Sequence, residues 1–355
     1  MSQNKALSFL TVVLFVGILL SITLYLGLGN LSTAASSEEG EEDVLPFNAS
    51  FREDHAIQTL VRYCDYEIFR HIDRDTVIIG ESDWLFDTRR TDNGYNYLLD
   101  YVGGCPYSEA ELTKISRWIT VRREACAERG AEYLLVVIPN SMTASSEYLP
   151  SYIGEQSHNT RLSQLGRYLD QKKESSFLDL SEVMCGDQGE EAFYNNTEDS
   201  INAYGAFSLY QGVMTELKMQ GRDVEAHLLD AESIQFFTHY TDGKGTAKRV
   251  GLERLVSNRT VSLSEDMADW YAISDVTVQC VTTTMTKQGM GNAERLVIEC
   301  STEWDKIQLM PFFSNTFETV VYENSIDDGI SALDYHDGTI LIQVIHESEL
   351  SLLLQ

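Results

Sequence analysis

The feature that most restricts the fold is an uninterrupted apolar run, Tyr133–Ile138 (YLLVVI), closed by Pro139. A strand apolar at every position has no face for water, so both faces must be covered. The preceding stretch predicts one cover. Ser108 and Glu111 form a capping-box pattern that opens a helix. Leu112, Ile115, Trp118 and Ile119 give that helix a buried stripe, and Gly130 stops it.

The same alternation recurs along the chain. Thr76–Ile79 and Phe177–Leu180 read as short strands, and Leu162, Leu165 and Leu169 mark a helix between them. Phe207, Tyr210, Val213, Met214 and Leu217 mark another helix. Leu296–Glu299, Thr319–Tyr322 and Ile340–Val344 read as buried strands, and Ser348–Leu354 as a helical tail. Apolar strands separated by helices predict an α/β fold, a parallel sheet with helices on both faces. Its site is expected beyond the carboxyl ends of the strands. Residues 223–285 carry no clear period and are expected to hold irregular excursions.

Residues 7–28 (LSFLTVVLFVGILLSITLYLGL) carry no charge. As a helix they would be about 33 Å long, enough to cross the hydrocarbon core. Lys5 precedes them and a run of Glu and Asp follows, so residues 1–6 are expected inside the membrane boundary and the rest outside. The rival reading is a cleaved signal peptide ending near Ser32–Ser36, but such apolar cores are usually shorter. Residues 31–50 read as an acidic solvated tether, and 51–355 as one extracytoplasmic domain.

Charge narrows the partners. The 355 residues include 26 Lys and Arg against 55 Asp and Glu, a formal net charge of −29. Such a surface repels nucleic acid and argues against it as a partner. The 6 cysteines form no C-x-x-C pair, which leaves zinc-ribbon and thioredoxin-like readings unsupported. They read either as extracytoplasmic disulfides or as small buried apolar residues. No metal-ligand motif appears, and no cofactor is expected. Gly243–Thr246 (GKGT) lacks the upstream glycine of a phosphate loop. Asn48, Asn195 and Asn258 head glycosylation sequons.

Several segments together resemble the AlgX/AlgJ-like family, also called DHHW proteins. They are VIIGESDWLF (77–86), the helix and strand of 107–149 ending in I-P-N…E-Y-L-P, TEDSINAYGAF (197–207) and the strand, turn and helix of 296–322. The resemblance implies an SGNH hydrolase-like fold and O-acetylation of secreted polysaccharide through an Asp–His–Ser triad. It also implies work beside a membrane-embedded O-acyltransferase. Carried over residue by residue, it places the nucleophile at Ser301. Glu198 falls on the triad Asp and Ser200 on the triad His. Asn202 keeps its place in the 197–207 block, with Gly205 and Ala206, and is taken as a binding residue. So is Cys300, which stands where the family has Asp; Ile201 replaces a Trp.

A serine hydroxyl needs a positioned base. Serine at position 200 cannot act as one, and removing the histidine of such a triad costs on the order of 10⁶ in turnover. His346, just past the last predicted strand, is the best substitute base, followed by His239. Cys300 is a less favoured alternative, as a thiol nucleophile. The sequence thus favours a membrane-anchored, catalytically impaired protein that binds cell-surface polysaccharide or serves the acyltransferase. The alternative is an active serine O-acetyltransferase or acetylesterase with a rearranged triad.

Overall fold

The computed structural model describes residues 76–355 except 92–93, 186–190, 223, 225–227, 265–274, 280–281, 287–291, 324–337 and 355; before residue 76 it describes Gly17 and Tyr66. The expected anchor (Gly17 apart) and the tether lie outside the described residues. Among the described residues no helix is long and apolar enough to cross a membrane. The elements below belong to one compact unit, Asp73–Gln355.

Two short strands come first, β1 (Val77–Ile79) and β2 (Leu85–Asp87), paired antiparallel. The run at Thr76–Ile79 is therefore a strand, but it lies in its own small sheet rather than in the large one. Trp84 of the W-L-F segment stacks on Tyr148, ring centroids 4.7 Å apart, and on Phe86. The signature is thus a packing device that fixes this hairpin against the loop after the next strand.

The helix Glu109–Ala127 follows, with the capping box as expected: Ser108 N–H donates to Glu111 Oε2 at 2.7 Å, and Glu111 N–H returns to Ser108 Oγ. Then come β3 (Glu132–Ile138), the helix Arg161–Lys172, β4 (Phe177–Asp179) and the helix Ala203–Met219. The stretch that lacked a clear period supplies a hairpin, β5 (Phe236–Asp242) with β6 (Ser257–Leu263), and two polar strands, β7 (Asp275–Gln279) and β8 (Thr282–Thr286). The chain ends with β9 (Asn292–Cys300), the helix Glu303–Thr316, β10 (Phe317–Glu323), β11 (Thr339–His346) and a 3₁₀ tail, Glu347–Leu354.

The large sheet has the order β4-β3-β11-β9-β10-β8-β7. Pairing is parallel from β4 to β10, and β8 and β7 add an antiparallel edge. Strand alternation sorts the core into two layers. Leu134, Val136, Ile138, Leu296, Ile298, Ile342 and Val344 pack with the helices Ala203–Met219 and Glu303–Thr316. Tyr133, Leu135, Val137, Val297, Leu341 and Ile345 face the helices Glu109–Ala127 and Arg161–Lys172 and the 3₁₀ tail. Each such fully buried aliphatic side chain contributes roughly 1.5–3 kcal/mol. The expected parallel sheet covered on both faces is present.

Candidate functional site at the carboxyl edge of the sheet

Because β3, β4, β9 and β11 run parallel, their carboxyl ends share one edge, and the residues just beyond them meet there. Those residues are Asn140 and Ser141 after β3, Ser181 after β4, Ser301 after β9, and Glu347 after β11.

Ser301 leaves β9 half-buried, its N–H donating to the carbonyl of Val344 on β11 at 3.3 Å. Thr302 then caps the helix Glu303–Thr316. Its hydroxyl accepts from Asp305 N–H at 3.1 Å and donates to Asp305 Oδ2 at 2.6 Å. The same Oδ2 receives Nε2 of His346, the last residue of β11, at 2.7 Å. Burial lowers the basicity of this imidazole, but the adjacent Asp305 outweighs it, with Glu349 and Asp199 adding to the effect. The imidazole is raised to about 10 and is cationic at neutral pH.

Beside this pair lies a buried acidic network. Glu347 Oε2 accepts from Asn140 N–H at 3.1 Å and from the Thr143 hydroxyl at 3.3 Å. Asn140 Nδ2 donates to Tyr95 Oη, which donates to Asp100 at 2.9 Å. Burial, reinforced by the charge of Asp100, pushes the Glu347 carboxyl up to about 8. Glu347 and Asp179 reach a polar cavity of about 170 Å³ that is also lined by His158, Arg167, Ser163 and Ser181.

The triad-position residues divide between two environments. Glu198 and Ser200 come together, but on Asn195, whose Nδ2 donates to both at 3.1 Å. Burial raises the Glu198 carboxyl, opposed by Lys244 and by the amides of Asn195 and Asn258. The intervening Asp199 takes a different partner, the backbone N–H of Ser141, which donates to its Oδ1 at 3.2 Å at the sheet edge. Asn202 caps the helix Ala203–Met219, accepting from the N–H groups of Tyr204 and Gly205 and donating to the carbonyls of Ala192 and Tyr194. All four of its hydrogen-bonding positions are therefore occupied within the chain. Cys300 is buried at the end of β9, and His239 stacks on Phe237 in the separate β5–β6 hairpin.

Asp305, Asp100 and Glu347 were not singled out from sequence. For Asp305 a signal existed: Thr302 and Asp305 have capping-box spacing directly after the nucleophile position. Among the described residues, no cluster of His, Cys, Asp and Glu is arranged to hold a metal ion.

Residues 77–259, just over half of the chain, match the family described as SGNH hydrolase-like domain, acetyltransferase AlgX. The chain belongs to that AlgX family. Among solved structures it is similar to Bacillus cereus PatB1 with a sulfonyl adduct, at 14% identity and a TM-score of 0.49, over 77% of this chain and 97% of that one. It is also similar to the O-acetyltransferase domain of Pseudomonas putida AlgJ, at 15% identity and a TM-score of 0.47, over 78% and 93%. A DHHW family protein from Eubacterium siraeum gives 10% identity and a TM-score of 0.48, over 78% and 91%. No curated protein gives a significant match.

Proposed function

We propose that this AlgX-family chain is a cell-surface protein of the polysaccharide O-acetyltransferase type, anchored through residues 7–28 and impaired in catalysis. In this reading it holds a polysaccharide or acts as accessory partner of a membrane O-acyltransferase. The observation that carries the reading is Ser200: where the family resemblance puts the general base, a hydroxyl accepts a hydrogen bond from Asn195. A hydroxyl cannot take the proton of Ser301 near neutral pH.

One observation favours the second reading, an active serine acetyltransferase or acetylesterase with a rearranged triad. His346 ends β11, the strand paired with β9, and its bond to Asp305 ties that end to the first turn of the helix after Ser301. Against it stands the charge of that imidazole, since an imidazolium has no free lone pair to accept a proton. Acetyl-ester hydrolysis by the full chain, compared with Ser301→Ala, separates the two. Equal background rates are expected. Turnover well above background that vanishes in the variant would overturn the impaired reading and make His346 the base to test next.

A further inference from the structure

Glu347 is 1% exposed, yet only one of its carboxyl oxygens is used by the chain. Oε2 takes the Asn140 N–H and the Thr143 hydroxyl. Oε1 takes no hydrogen bond among the described residues and is not sealed in the interior, so it is left for the cavity of about 170 Å³ that Glu347 lines. Asp179 lines the same cavity from the end of β4, with Oδ1 held by Ser181 N–H at 2.8 Å. Neither carboxyl has a cationic partner among the described residues, and burial raises both. Arg167 and His158 are the exposed part of the lining. Arg167 donates to the carbonyl of His158 at 2.7 Å and to Asn159, and pairs with no acid among the described residues. The cavity is therefore dipolar, with two uncompensated carboxyl groups inside and an unpaired guanidinium toward solvent.

We propose that this cavity binds a small α-amino acid as its zwitterion, the ammonium on Glu347 and Asp179 and the carboxylate at Arg167. A buried carboxylate without a counter-charge is costly, and an ammonium supplies that charge together with N–H donors for the idle oxygens. Arg167 has the planar fork that matches a carboxylate. Size narrows the ligand further: at about 30 Å³ per water, 170 Å³ holds on the order of five or six waters, the bulk of glycine or alanine. A metal ion fits less well. Among the described residues no group of three His, Cys, Asp or Glu could hold one, and it would leave Arg167 unanswered. Seating the ammonium should also move a proton. Glu347 faces Asp100 from the helix Tyr97–Tyr101 and Asp179 from β4, and burial with the Asp100 charge keeps it protonated to about 8. The arriving cation lets it ionise, and the proton leaves to the buffer.

The site is independent of whether Ser301 is active. The test is calorimetric titration of the full chain with alanine, with alaninamide, which loses the carboxylate, and with lactate, which loses the ammonium. Alanine should bind at least about tenfold more tightly than either. Arg167→Gln should weaken alanine by about tenfold and leave alaninamide unchanged, a split that a merely structural role would not give. Glu347→Gln should weaken both alanine and alaninamide. It should also abolish the proton release that titrations in phosphate and in Tris, at about pH 7, reveal in the parent. Circular dichroism checks the fold; Arg167 is exposed, so its variant carries the test if Glu347→Gln does not fold. Failure of the parent to bind alanine, or undiminished binding by both variants, would overturn the site. Alaninamide binding as tightly as alanine would overturn the carboxylate contact. Competition by calcium chloride would overturn the amino acid in favour of a metal cation.

Discussion

Nε2 of His346 lies 2.7 Å from Oδ2 of Asp305, and neither side chain is more than 7% exposed. The pair joins the end of β11 to the first turn of the helix after Ser301, so it clamps that helix start to the strand beside β9. Removing one member leaves the other buried without its counter-charge, at a cost of about 3–5 kcal/mol. Asp305→Asn should therefore lower the urea midpoint sharply.

The same pair sets a pH dependence. The folded imidazole titrates at about 10, above its ordinary 6.5, so the folded state binds the extra proton. Its contribution is complete below about 6.5 and is lost as pH rises through about 10. Stability of the parent should fall across that window, and Asp305→Asn should flatten the decline. Imidazole resonances followed by NMR should show His346 titrating at the top of the range in the parent and well below it in the variant.

Glu347 contributes a second loss of stability with rising pH, at lower pH and with a different cause. Burial, reinforced by Asp100, holds its carboxyl protonated to about 8, whereas the unfolded group ionises near 4.5. The folded state again binds the extra proton, so stability falls between about 4.5 and 8. Glu347→Gln keeps an oxygen for Asn140 N–H and Thr143 while removing the ionisation. Urea unfolding across that range should show a shallower slope in the variant, and higher stability than the parent above pH 8. An unchanged slope would mean that Glu347 ionises in the folded protein as it does in the unfolded chain.

Much of this fold was legible because its strands are apolar on both faces. Tyr133–Ile138, Leu296–Glu299 and Ile340–Val344 admit no solvent side, and each became a strand of the parallel sheet. β7 and β8 were missed because polar residues such as Thr282, Thr283 and Thr284 give an edge hairpin no apolar period. Thr76–Ile79 was legible as a strand but not as part of a separate sheet, since pairing partners are not encoded in one short run. At the site, the resemblance pointed to Ser301, and the structure places that residue directly after β9 at the carboxyl edge of the sheet. The Asp305–His346 bond was not legible, because 41 residues separate partners that only the β9–β11 pairing brings together.

The GKGT segment has a structural role in place of phosphate binding. Gly245 has φ +43°, and a Cβ added there would lie 2.4 Å from Cβ of Glu198. Thr246 N–H donates to the carbonyl of Thr197, and Lys244 N–H to its hydroxyl, so this turn backs the 197–200 block. Gly245→Ala should cost about 1–3 kcal/mol through overpacking, beyond the strain of a left-handed alanine. Gly221→Ala is the control. That glycine also has positive φ but nothing near its added Cβ, so its loss should be the smaller in thermal denaturation.

Two of the three sequons are closed by the fold, and they close each other. The Thr197 hydroxyl, from the sequon headed by Asn195, donates to Asn258 Oδ1 at 2.6 Å. Asn258 Nδ2 in turn donates to Thr260, the hydroxyl of its own sequon, at 2.8 Å. Asn195 is 1% exposed and Asn258 is 0% exposed, so neither amide can be reached in the folded chain. Expression in a host that glycosylates asparagine should leave both unmodified, as peptide mass spectrometry would show. A glycan on either would mean that this block is open when the modifying enzyme meets it. Asn195→Ala should also destabilise, by about 1–3 kcal/mol, because it withdraws the donor shared by the part-buried Glu198 and Ser200. Loss of stability without a change in glycan mass would identify Asn195 as a structural amide.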